Sequence, residues 1–432
     1  METSESSGRH LLLFLASLCA AAVVVAVVAN DAHPARRAPI TLNLYSYVIL
    51  EPGYDGLIPN FEHAYPNVAI SPTFAPTVAA LYQLTTTELA AGNGPDLIPT
   101  NPGCGSPVSI CVLAKASYLA PLLKQPWTKW SLPLLTSASK YGRGLYAFIP
   151  TVSFEGIFTN DALFKEFGLK VPVTFSQLLE TCKKARADGT IPLLLPVEGS
   201  TVVQHLLEDI ALTTVYKPDR HWTKDLKAGT VSFGGTPGWH AALQELVDMD
   251  GAGCFEPGAA ATTSAAADAE FAQGKALMYF NVTSHKGTID AANPQFPYST
   301  HPFPSANSPS GTTTQIEAAN GVAVNAHASA QNQVAAQMFI DFLARPAQDA
   351  LFARLIGSVT QFDFLHDQLP TYLANFAPVV KAHEYALNPE LGWWNPSVAA
   401  ALNQDGGGLI TGQTSIDQVL TAMDAAWKLG PE

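Results

Sequence analysis

Apolar and polar positions alternate from Ile40 to Val48 (Ile-Thr-Leu-Asn-Leu-Tyr-Ser-Tyr-Val), the period of a half-buried strand. Residues 55–65 then take helical spacing, and Pro66-Asn67 stops them before a second short strand at 68–74. Residues 78–91 return to helix, with Leu81, Leu84 and Leu89 on nearby faces. Gly92 is a natural C-cap, and Pro95 forbids continuation. Leu97-Ile98 form a short buried strand that runs into the polar loop Pro99-Thr100-Asn101-Pro102-Gly103. Ligands of open α/β sheets bind outside such carboxyl strand ends, so this loop is expected to present ligand contacts.

Further along, 146–158 hold two strand-like segments around Pro150, and 175–185 read as a helix capped by Thr174 and closed by Gly189. The Ala/Thr/Ser run 259–267 leads directly into 271–280, so it reads as a short helix or loop and not a linker. The Pro- and Ser-rich segment 296–311 reads as an extended crossing between lobes. Helices are expected at 333–343, 347–355 and 415–429, and Gly406-Gly-Gly408 as flexible loop. No internal repeat is evident. Alternation of strands and helices places the chain in the α/β class, with parallel or mixed sheets flanked by helices.

A chain of 432 residues is long enough for two or more lobes. Only 14% of residues are charged, which excludes a disordered acidic protein despite a net charge of −13. The acidic balance, without Lys/Arg clusters, argues against nucleic acid and for neutral or cationic small molecules. Residues 11–29 form an almost unbroken apolar run, read either as a secretory signal cleaved near Ala29 or as a membrane anchor. In both cases the body lies outside the cytoplasm, whether periplasmic, on the cell surface or secreted. There, Cys104 and Cys111, bracketing a short loop with Gly and Pro, are expected to form a disulfide. Cys182 and Cys254 are either a second bridge or buried free thiols. His285, His301 and His327 have no mutual metal-ligand spacing, so neither metal nor cofactor is expected.

Five blocks, in order, carry a family resemblance. They are 59–68 with 89–98; Gly144-Leu-Tyr146-Ala-Phe-Ile-Pro150 leading to Thr159-Asn160-Asp161; Val173-Thr174-Phe175 through Gly189; Phe271-Ala-Gln-Gly274-Lys275-Ala-Leu-Met278; and Ala335-Ala-Gln-Met-Phe339-Ile-Asp-Phe342. Together they resemble extracellular solute-binding proteins of the maltose-binding type. The resemblance implies a two-lobed periplasmic-binding-protein-like fold of type II. Each lobe is a mixed sheet flanked by helices, and a ligand cleft between them closes about a hinge. The expected lobes are 40–149 with 300–360, and 150–299 with 361–432. The implied function is capture of a small solute, most simply a sugar or oligosaccharide, for the membrane permease of an ABC importer, by a monomer without catalytic activity.

Sugar recognition combines aromatic faces with polar groups for hydroxyls. By the family pattern, candidate contacts are Trp393 and Trp394 before a late helix, and Thr100 and Asn101 in the opening loop. Ser153, Phe154 and Glu155 follow Pro150 at a lobe crossing, and Asn281, Ser284 and His285 follow the Met278 strand. Glu198 and Tyr47 complete the set. The chain also resembles the thiaminase I branch at Leu44-Tyr45-Ser46-Tyr47-Val48 and Phe271-Ala-Gln-Gly274. That chemistry needs a thiolate four residues after Pro150, where Phe154 stands, and an acid within 281–285, where none occurs. The alternative it leaves is a binder of thiamine or similar heterocycles. A glycoside hydrolase would need two facing carboxylates, and nothing in the spacing of Glu155 and Glu198 singles them out.

Overall fold

The computed structural model describes residues 39–122, 125–318 and 321–431; the apolar run at 11–29 lies outside them. Strand Ile40–Tyr47 pairs in parallel along its whole length with Val68–Ala75, and in parallel with Leu97–Thr100. Gly321–Asn325 runs antiparallel to Leu97–Thr100 and carries the short strands Leu119–Ala120 and Ala147–Phe148. This first mixed sheet has helices packed on it. Glu51–Ala64 begins four residues earlier than the spacing predicts, because Pro52 suits a first turn that needs no N–H there. Val78–Ala91 has the expected bounds, with the Thr77 side chain accepting from Ala80 N and Gly92 at φ 77°.

The second mixed sheet is built on Thr151–Asn160, ten residues that are all buried. Ala276–Val282, Tyr298–His301, Thr314–Glu317 and Val359–Thr360 pair antiparallel with it. Ile191–Leu194 and Tyr385–Leu387 add parallel strands outside these. A strand buried on both faces has to be apolar or satisfied along its length. Here Phe154 and Phe158 fill two separate cores, while Glu155 sits between them as a buried charge.

The segment 296–311, expected to cross between lobes, instead supplies Tyr298–His301 to the second sheet. Pro302 ends that pairing, since it has no N–H to give a ladder. The chain passes from second sheet to first between Glu317 and Gly321. Gly406-Gly407-Gly408 is not a loop but lies buried in helix Ser397–Thr411. A Cβ on Gly406 would stand 2.8 Å from Leu207 Cδ1, so the missing side chains let this helix approach helix Val202–Ala211 closely. The run 259–267 becomes a short turn and then helix Ser264–Ala272, capped by Thr263. Both cysteine pairs, Cys104–Cys111 and Cys182–Cys254, are disulfides. Among the described residues no helix is long and apolar enough to cross a membrane.

Candidate functional site

The two sheets face each other across a cleft enclosing about 1030 Å³ of empty space, part of it open solvent. One wall comes from the carboxyl ends of the parallel strands: Tyr45, Ser46 and Tyr47 end the first, and Thr100 and Asn101 end the third. This is where the twist and connectivity of an α/β sheet leave room for a ligand. Asn101 donates from Nδ2 to the Tyr82 hydroxyl at 2.7 Å and to Ser106 Oγ at 3.1 Å, fixing the loop closed by Cys104–Cys111. Thr100 spends its hydroxyl on Val108 O at 2.6 Å, so it shapes the loop from beneath.

The opposite wall comes from the second sheet and helix Val202–Ala211. Asn281 and His285 line it, ordered by one buried network. Asn281 Nδ2 donates to the Tyr279 hydroxyl, which donates to Asp268 at 3.0 Å, while His285 Nδ1 lies 2.9 Å from the same carboxylate. Ser284 lies beside them. His205, Glu317 and Glu390 line the cleft as well, none of them foreseen from the sequence. Gln204 Nε2 holds Glu390 at 2.6 Å and Glu208 at 3.0 Å.

Charges dominate the electrostatics of this wall. Burial by itself would lower His205, but Glu155 at 2.9 Å, with Glu317 and Glu390 beyond, carries it up to about 10. Burial pushes Glu317 above the ordinary carboxylate range, aided by Glu155 and Glu390 against the pull of His205. Glu390 is raised by burial, and Glu208 and Asp209 well above the carboxylate range by the same cause. Among the described residues, no Lys or Arg lines the cleft.

The structure brings Tyr47, Thr100, Asn101, Asn281, Ser284 and His285 together around this space. Glu155 lies one layer behind them, 1% exposed. Ser153 is buried against Ser358 Oγ at 2.6 Å. Phe154 is in the core, its ring stacked on Phe376 at 4.4 Å. Glu198 is exposed and is not among the residues that line the cleft, although Ser200 and Thr201 just after it are. Trp393 is fully buried among Phe233 and Trp239, and Trp394 stacks on Trp427 at 3.9 Å and 10°. The aromatic pair therefore meets the second lobe's own helices. A signal for the unforeseen residues existed: polar Gln204, His205, Glu208 and Asp209 recur at helical spacing within the apolar run Val202–Ala211. As for thiolate chemistry, every cysteine among the described residues is in a disulfide, and none lines the cleft.

Comparison with known proteins fits this geometry. A multiple sugar-binding protein of Streptococcus mutans serotype c is 25% identical over 159 residues, 36% of this chain and 36% of that protein, so the match spans about a third of the relative. A sugar transporter from Bacillus licheniformis in complex with stachyose is 18% identical with a TM-score of 0.71, over 90% of this chain and 100% of that one. Maltose-bound MalE3 of T. maritima is 16% identical with a TM-score of 0.74, over 90% and 99%. At such identities the structural likeness is one of fold. The model of the bacterial extracellular solute-binding protein family matches residues 57–410, a span that takes in strands of both sheets and most of the cleft lining, though not Tyr45 to Tyr54. The chain belongs to the family of bacterial extracellular solute-binding proteins.

Proposed function

We propose that the protein captures a neutral sugar or oligosaccharide in this cleft and delivers it to the membrane permease of an ABC importer. The observation that carries the reading is the make-up of the walls. Tyr45, Tyr47 and Tyr82 offer ring faces for sugar C–H surfaces, Asn101, Asn281 and Asn388 offer amides, and Glu317 and Glu390 offer carboxyl groups for hydroxyls. An anionic solute would meet these acids with no Lys or Arg among the described lining residues to pair with. The names of the relatives point the same way, since a multiple sugar-binding protein and stachyose- and maltose-bound structures share sequence or fold with this chain.

In this reading Tyr47, Thr100, Asn101, Asn281, Ser284 and His285 are the ligand shell, joined by His205, Glu317 and Glu390. The lobes are 40–149 with 321–358 and 150–317 with 359–431, which moves the later crossing to the passage between Glu317 and Gly321. The protein acts as a monomer outside the cytoplasm, exported or anchored by residues 11–29, and turns over no substrate. Thermal unfolding with a panel of di- and oligosaccharides, and with thiamine, tests it. A sugar at a hundredfold excess over its Kd should add about 2.7 kcal/mol of stability. Stabilisation by thiamine and by no sugar would overturn the reading in favour of a heterocycle binder.

A further inference from the structure

The charged wall holds a cluster that sugar binding does not require. Glu155 projects from the long strand, and Glu317 ends the antiparallel neighbour, opposite Ser153. Residues paired across an antiparallel ladder share a face, as do residues two apart on one strand, so Glu155 and Glu317 lie on the same side of the sheet. His205 comes down on them from helix Val202–Ala211. One nitrogen or oxygen from each of the three lies within 4.8 Å of the other two. Neighbouring ligands of a single ion, bound at about 2.1 Å, stand roughly 3–4 Å apart, close to this spacing.

A second observation concerns Glu155 itself. It is 1% exposed, and its Oε1 has no hydrogen bond, although His205 Nδ1 is 2.9 Å away. His205 supplies the counter-charge of that oxygen while it holds its proton, and a divalent ion that displaces the proton would bond both atoms in its place.

We propose that Glu155, His205 and Glu317 form a binding site for a divalent first-row transition-metal ion at the floor of the cleft. One imidazole and two carboxylates suit Mn, Fe, Co or Zn, whereas Ca and Mg prefer oxygen alone. Once the ion has displaced the protons of Glu317 and His205, two carboxylates balance its charge. His205 and Glu317 line the cleft, so the remaining coordination positions face the space a solute would occupy. Water or vicinal hydroxyls of the solute fill them.

The test is a titration of the full-length chain, stripped with chelator and free of sugar, with Co2+ followed by its visible absorption. The expected result is one saturable equivalent, unaffected by excess Mg2+, and weakened at least about tenfold in Glu155→Gln and in Glu317→Gln. Circular dichroism checks folding. Glu317 opens on the cleft, so Glu317→Gln decides the matter should the Glu155 variant fail to fold. No saturable uptake by the wild type, or variants that bind as tightly as wild type, would overturn the site. Because no sugar enters the titration, its failure leaves the sugar reading standing, and a failed sugar panel leaves the metal site standing.

Discussion

The two walls of the cleft are made on different principles. The wall from the first sheet is neutral and internally satisfied: Asn101, Tyr82, Ser106 and Thr100 bond to each other or to backbone. The wall from the second sheet is charged and crowded, with Glu155, Glu317 and Glu390 gathered around His205, and Glu208 and Asp209 behind. Buried oxygens on Glu155, Glu208 and Asp209 lack hydrogen bonds there. The neutral wall supplies shape at little electrostatic cost. The charged wall stores unfavourable desolvation that a ligand can relieve, which makes it the better candidate for the source of specificity.

Removing the cation that faces Glu155 should have the largest effect. His205→Gln leaves Glu155 buried without a counter-charge and should cost about 3–5 kcal/mol in urea unfolding; a cost below about 1 kcal/mol would mean the wall is not held by charge. The disulfides extend the contrast. Cys182–Cys254 closes 72 residues in the second lobe and Cys104–Cys111 closes only 7 at the neutral rim. Chain entropy then predicts losses of about 4 and about 2–3 kcal/mol for the two double Ser variants, measured by denaturation under oxidising conditions. Equal losses would remove loop length as the cause.

The remaining predictions are smaller. Burial raises Glu245, on the second lobe's Pro237–Gly251 helix, to about 8. Its unfolded value is near 4.5, so the unfolded chain releases this proton first. Stability should therefore fall as pH rises from about 4.5 to about 8 and level off above, and Glu245→Gln should flatten that slope in melting curves. A Glu245→Gln slope identical to wild type would assign the pH dependence to other carboxyls. Smallest of all, Asn101→Ala on the neutral wall should weaken sugar binding by about 1 kcal/mol in calorimetry and lower the melting temperature slightly, since its bonds to Tyr82 and Ser106 go with it.

Much of the fold was legible because it is written locally. Helix Val78–Ala91 with its Thr77 and Gly92 caps, and the strand–loop at Leu97–Thr100, follow from periodicity and turn residues alone. The charged wall was not legible, since residues 155, 205, 317 and 390 meet only through strand pairing and a helix laid across it. Trp393 and Trp394 show the converse. A tryptophan pair that would suit a sugar face suits another indole equally well, and Trp427, far along the chain, decides for Trp394. Gly406 to Gly408 misled for the same reason, because small residues that permit a loop also permit two helices to touch.

At the rim of the cleft, a Cβ on Gly103 would come within 2.3 Å of Leu391 O, and one on Gly105 within 2.2 Å of Glu390 O. The disulfide loop therefore meets the segment after strand Tyr385–Leu387 largely main chain to main chain, with Glu390 Cβ beside Gly105. Such a seam carries no chemical preference of its own. Backbone spacing alone sets how the two sides seat, so Glu317, Glu390 or Asn101 can be exchanged to redirect what the cleft holds without redesigning how it shuts. A single methyl group at Gly103 or Gly105 would do the reverse, wedging the seam apart without changing any cleft side chain.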